Sequence, residues 1–270
     1  RLLCRMAGKK AAAKRAPAKK ASAKREREVV NSDSDEDEPQ AKKPKRAGGT
    51  ARKANPLEDL FAYYVEETKK AMMYSDDESS GLVDCIGPGG IQKMCEDINV
   101  QIDDICLLIM AWHLAASRVG VFSKEEWMKL SNFGITNLET LKSKVPQFHR
   151  DIQDIDNAKR LFLFTFNYVR ETAESKVIPV DVAEGYIRLI LPNSVHTEPF
   201  CVFLTKQKDE PKGYRAINLD QWKMWFEFAH TVPGDLSTYD EEAAWPLIID
   251  NYVIQRRAFL ASNGMQTSSS

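Results

Sequence analysis

No stretch of this 270-residue chain is apolar for long enough to span a bilayer, so no helical membrane anchor is expected within it. Its five cysteines (Cys4, Cys85, Cys95, Cys106, Cys201) are odd in number and irregularly spaced. That argues against a disulfide framework and for a reducing compartment. No CxxC and no Cys/His ligand spacing occurs, which disfavours structural zinc. The four histidines, His113, His149, His196 and His230, have no partner spacing for a triad or a metal, and a structural role is expected for each. Cys95 and Cys106 fall on apolar helix faces, where a thiol is an inert small hydrophobe rather than a thioester carrier. No catalytic residue, metal or cofactor is expected.

Aromatic residues are absent before Phe61, and charge is unevenly divided. Residues 1–55 hold 17 Lys and Arg against 7 Asp and Glu, a net of +10; residues 56–270 hold 21 against 32, a net of −11. The first segment is almost wholly Ala, Lys, Arg and Pro around an acidic block, NSDSDEDE (Asn31 to Glu38). Such a segment buries too little apolar area to offset its ordering entropy, so residues 1–55 are expected to be a disordered basic tail. Basic clusters Lys9–Arg27 and Lys42–Arg46 flank the acidic block, and KKPKR has the form of a nuclear-import signal read by an import receptor. A nuclear location, shared with the cytoplasm, is the expectation. Ser32 and Ser34 beside acids are candidate phosphorylation sites. Met6 is the expected initiator.

The rest reads as helices, with one domain expected over residues 56–262 and a disordered C-terminus at 263–270. Leu57–Lys70 is amphipathic, Gly89–Ile98 is short, and Asp103–Arg118 is apolar almost all round, as a central buried helix would be. Ser123 and Glu126 form a capping box, and Thr136 with Glu139 repeats the pattern. Further helices are expected near Asp156–Thr172, Val180–Leu191, Phe200–Lys206, Leu219–Thr231 and Pro246–Leu260. Short extended pieces near Val83–Ile86 and Gly120–Phe122 would precede helices. The fold class is therefore all-α, with EF-hand-like helix pairs. Neither Ser75–Gly90 nor Arg118–Glu126 carries oxygen ligands at calcium-loop spacing, so calcium binding is not expected.

Two segments stand out near the C-terminus: Asn218–Phe228 (NLDQWKMWFEF) and Tyr239–Val253 (YDEEAAWPLIIDNYV). Each sets acids at a helix start with no nucleophile between them, the form of a surface that receives a basic partner. Together with GPGGIQKMCEDINVQIDDICLLIMAWHLAAS, GVFSKEEW and FTFNY, in order and at matching spacing, they make this chain resemble the defective-in-cullin-neddylation family over Leu57 to Leu260. The tail and the EEW and DQW wording are most similar to its nuclear members.

The resemblance implies a scaffold-type co-ligase with no catalytic residue of its own. Its partners would be the C-terminal winged-helix region of a cullin and the neddylation conjugating enzyme. The cullin-facing patch carries over to Asp220, Ala244 and Asp250, with Asp240, Glu241 and Glu242 as rim charges that steer association. Each Asp read alone is a first-turn acid favoured by the helix dipole. A second site, an apolar pocket for the acetylated N-terminal Met of the conjugating enzyme, carries over to Ile91, Leu107, Met110, Ala111, Phe122, Tyr168 and Leu189. Singly, each of these reads as ordinary core. Val119 and Ile102 depart from the family pattern, which has Gln and Pro there. The rival reading is a nuclear chromatin or nucleic-acid-binding protein acting through its basic tail, although the acidic body would repel phosphate.

Overall fold

Pro56 opens the first helix, where a missing N–H costs nothing because first-turn amides have no intrahelical acceptor. The computed structural model describes residues 55–73, 84–208 and 210–267. The tail expectations, including the import signal, Ser32 and Ser34, lie outside the described residues.

The chain runs α1 (Pro56–Met73), β1 (Cys85–Ile86), α2 (Pro88–Ile98), α3 (Ile105–Leu114), β2 (Phe122–Ser123), α4 (Lys124–Met128) and a 3-10 turn at Lys129–Phe133. It continues through α5 (Leu138–Asp151), α6 (Ile155–Val169), β3 (Val177–Pro179), α7 (Val180–Ile190), α8 (Thr197–Lys208), β4 (Ala216–Asn218), α9 (Leu219–Thr231) and α10 (Leu247–Thr267). α10 runs past the end expected at residue 262. The architecture is all-α. Its two small antiparallel ladders pair Ile86 with Phe122 and Ile178 with Ile217. Each ladder ties two helix–loop–helix units side by side, which is the EF-hand pair arrangement, present twice. No helix among the described residues is long and apolar enough to cross a membrane.

The loop between α3 and α4 shows how this geometry stands without an ion. The EF-hand template has Gly at its sixth position and a metal-gripping Glu at its last. Counted from Ala115, those positions are Gly120, which adopts φ 71°, and Glu126. Ala115 and Val119 occupy ligand positions but bring no side-chain oxygen. The Glu126 carboxylate instead turns onto the loop itself. It accepts the Ser117 amide at 2.7 Å and the Ser123 amide at 2.9 Å, while Ser123 Oγ accepts the Glu126 amide at 3.2 Å. Burial alone would raise this carboxyl's pKa. The amide bonds from Ser123 and Ser117 outweigh it and hold the group below the usual glutamate range.

α3 is the centre: Cys106, Leu107, Leu108, Ile109, Met110, Ala111 and Leu114 are all buried. It is shorter than the apolar run suggested. Ala115 takes the left-handed conformation (φ 48°), and its amide and that of Ala116 close the helix onto Trp112 and Ala111. The second capping box is also shifted by one residue. Asn137 is the cap, and Thr140, not Glu139, returns the hydrogen bond. α1 and α2 cross so closely that a Cβ on Gly90 would lie 2.2 Å from the Tyr64 carbonyl oxygen. Thr68 Oγ seals that crossing by accepting the Gly87 amide at 2.9 Å.

In the second half, Trp222 stacks on Phe162 with centroids 4.0 Å apart and donates its Nε1–H to the Phe162 carbonyl at 2.7 Å. Trp225 stacks on Phe200. His196, fully buried, donates Nε2–H to the Val232 carbonyl and accepts the Tyr252 hydroxyl at Nδ1, each at 3.0 Å, which locks α9 to α10. Burial lowers its pKa and keeps the ring neutral.

Candidate functional site

The acidic face is built by what lies beneath it. On α9, Trp222, Trp225, Phe226 and Phe228 point inward, which leaves the opposite side to solvent. Asn218 caps the helix by accepting the Gln221 amide at 2.9 Å, and Gln221 Oε1 accepts the Asn218 amide at 3.0 Å. That box fixes Asp220 outward in the first turn, exposed, with no hydrogen bond or ion pair to any described residue. Ala244 is exposed in the loop leading to α10, and Asp250 is half-buried in the first turn of α10.

Asp250 is held by a non-local contact. The Tyr239 hydroxyl donates to its Oδ1. Burial, and then the Asp250 carboxylate, push the Tyr239 pKa up, so the hydroxyl keeps its proton and remains a donor. The Tyr239 ring stacks on Trp245 at 6.0 Å, and Trp245 packs edge-on against Phe228 at 5.8 Å. Trp245 therefore wedges the Ala244 loop against α9. Arg257 lies over the Tyr239 ring at 5.6 Å and pairs with Glu241. Asn251 donates to the Tyr214 hydroxyl at 2.8 Å, which ties α10 to the segment before β4 and α9.

A cleft opens between α2, α3, β2 and α6. Pro88 and Ile91 of α2, Ile102 of the following loop, Leu107 of α3, Gly120, Phe122 of β2 and Tyr168 of α6 line about 340 Å³, open mouth included. Of the seven pocket residues taken from the resemblance, Ile91, Leu107, Phe122 and Tyr168 form the wall. Met110 and Ala111 are core residues at 0% and 1% exposure, behind the wall rather than on it, and Leu189 is half-buried outside it. Ile102 is part of the lining, whereas Val119 is buried away from it. Pro88 and Gly120 were missed. The lining residues are apolar apart from Tyr168, whose buried hydroxyl accepts the Gly120 amide at 3.3 Å and has no described acceptor for its own proton. Burial raises the Tyr168 pKa, so that proton stays in place.

Burial also pushes the Cys106 and Cys201 thiols up to about 12, leaving neither as a thiolate at neutral pH. Among the described residues no three His, Cys, Asp or Glu side chains cluster as a metal ion would require.

A family model described as Cullin binding matches residues 140–255. DCN1-like protein 5 of Homo sapiens is 37% identical over 182 residues, covering 65% of this chain and 73% of that protein. The chain belongs to the DCN1-like family. DCN1-like protein 4 of Homo sapiens is 33% identical over 178 residues, covering 65% of this chain and 59% of its own length. DCN1-like protein 2 of Dictyostelium discoideum is 34% identical over 169 residues, covering 62% and 61%. In this DCN1-like chain the cullin-binding match begins within α5 and ends within α10, so it contains the whole acidic face. It contains only Tyr168 of the cleft wall. Tyr239 was missed as the partner of Asp250. Its signal was faint, a buried-type aromatic in an otherwise acidic, exposed stretch.

Proposed function

We propose that this chain is a non-catalytic scaffold of cullin neddylation. It binds a cullin through the face of Asp220, Ala244 and Asp250, and the conjugating enzyme through the apolar cleft. The cullin-binding match over an acidic face held outward by α9 and α10 carries this reading. Holding the charged conjugating enzyme and the cullin on one body turns an encounter in solution into an effectively intramolecular one. The thioester and the attacking lysine belong to the partners, so the scaffold contributes position alone. Faster modification would in turn raise the activity of the cullin-RING ligase. The scaffolding domain is assigned to residues 56–262, and the basic tail ahead of it directs the protein to the nucleus.

The cleft suits the acetylated N-terminal Met of the conjugating enzyme. An acetylated amine carries no charge, and a wall with one hydroxyl offers little to offset desolvation of an ammonium. The Tyr168 O–H, whose oxygen already accepts from Gly120, is free to donate to the acetyl carbonyl. A fluorescence titration with an N-terminal peptide of the conjugating enzyme checks this half of the reading. The acetylated peptide should bind at least about 10-fold more tightly than the free-amine form, since stranding a charge costs more than 1.4 kcal/mol. Ile102→Asp, at a half-buried loop position on the wall, gives the ammonium an ion-pair partner and should abolish the preference. Equal binding of the two forms would contradict it.

A further inference from the structure

Exposed large apolar side chains occur mostly one to an element among the described residues, but α10 carries three: Leu247, Ile254 and Phe259. The ring of Phe259 is covered by Arg256, whose guanidinium lies 5.3 Å from its centroid. Leu247 and Ile254 have no such cover, at 67% and 66% exposure. They stand seven residues apart, two turns or roughly 10 Å along one helix face. Asp250 lies between them at i+3 and i−4 on that face, directed away from the buried Ile248, Ile249, Tyr252 and Val253. Ala258 and Ala261 continue the line with small exposed residues. The result is an apolar ridge interrupted by one carboxylate.

We infer that Leu247 and Ile254 seat in an apolar groove of the cullin, beside the cationic rim that meets Asp250, and supply the salt-insensitive part of the affinity. The inference rests on the cullin-binding reading above. Three observations choose this occupant. The ridge is continuous with Asp250 and follows Ala244 directly in the chain. Its surroundings are acidic: Asp220, Asp240 and Glu242 are exposed, and the cation of Arg257 is neutralised by Glu241. The cullin-binding match includes both residues. Opposite charges at a rim set the approach and its salt dependence, whereas apolar contact at the centre is nearly indifferent to salt.

The test uses the full chain and its Leu247→Gln, Ile254→Gln double variant, titrated against cullin winged-helix fragments over a salt series. Both positions are exposed and Gln is a good helix former, so the melting temperature should be unchanged. Affinity should fall about 10-fold or more at every salt concentration, with the slope against log salt preserved. Asp250→Asn should do the reverse and flatten the slope. If the wild type binds and the double variant binds equally well, the ridge assignment is wrong while the cullin reading stands. If the double variant instead loses self-association in sedimentation with cullin affinity intact, the ridge joins two copies of this chain and the assignment is again wrong. If the wild type binds no cullin fragment, both fall.

Discussion

Replacing Asp250 with Lys is expected to weaken cullin binding by about 2–5 kcal/mol, on the order of 30-fold or more. The magnitude follows from the position of the group. Asp250 is half-buried, one oxygen is occupied by the Tyr239 hydroxyl, and the other is left to the partner. A fixed, partly desolvated carboxylate needs little further ordering to meet a cation, and reversing its sign sets two cations face to face. The fold should survive. An acid in the first turn of α10 contributes only about 0.3–1 kcal/mol through the helix dipole, so the helical circular dichroism of the variant should match wild type. Isothermal titration with a cullin winged-helix fragment measures the loss. Asp220→Lys should act more weakly and mainly on the association rate, because that carboxylate is exposed and makes no contact with any described residue.

The second large effect is on stability. Glu126→Ala removes the acceptor of two loop amides, Ser117 and Ser123, and leaves charge-assisted bonds unmade in a buried setting. The expected cost is about 2–5 kcal/mol, or roughly 5–15 °C in melting temperature for a folded body of this size. Because the folded state holds the Glu126 carboxyl below its ordinary pKa, ionised Glu126 stabilises the fold above the ordinary glutamate value. That contribution fades as pH falls from about 4.3 through the lower folded value. Denaturant unfolding of wild type and Glu126→Gln should therefore show a gap that is full at neutral pH and narrows progressively as pH falls below the ordinary glutamate value of about 4.3. A gap independent of pH would mean that the carboxylate charge is not what holds the loop. The same loop carries Gly120 and Phe122 of the cleft wall, so the variant should also loosen peptide binding there.

Local features were legible in the sequence because their causes lie within a few residues. The Ser123–Glu126 box is one, and the buried character of α3 is another. Features made by residues far apart were not. β3 and β4 are three residues each and form only because Ile178 meets Ile217, so no run of alternating residues announces them. The early end of α3 rests on a left-handed alanine, where glycine would have been the visible signal. The cleft shows the same limit. α3 is apolar on every side, so periodicity cannot separate Leu107, which lines the cleft, from Met110 and Ala111, which face the core. Asp220 and Asp250 were named through the resemblance, and by composition alone each would have passed for a helix-start acid. The contact that distinguishes Asp250, with Tyr239, spans a loop and the turn into a helix. Exposure of Leu247 and Ile254 was equally hidden, since Pro246–Val253 reads as an apolar run whose outward members only packing identifies.

The most direct measurement is single-turnover transfer of the modifier from its charged conjugating enzyme to a cullin winged-helix fragment. It would compare no addition, the full chain, and the full chain carrying Asp250→Lys. A scaffold acting through the acidic face predicts acceleration by the wild-type chain and its loss with the substitution. No acceleration by the wild-type chain with any cullin fragment, or equal acceleration by the variant, would contradict that account.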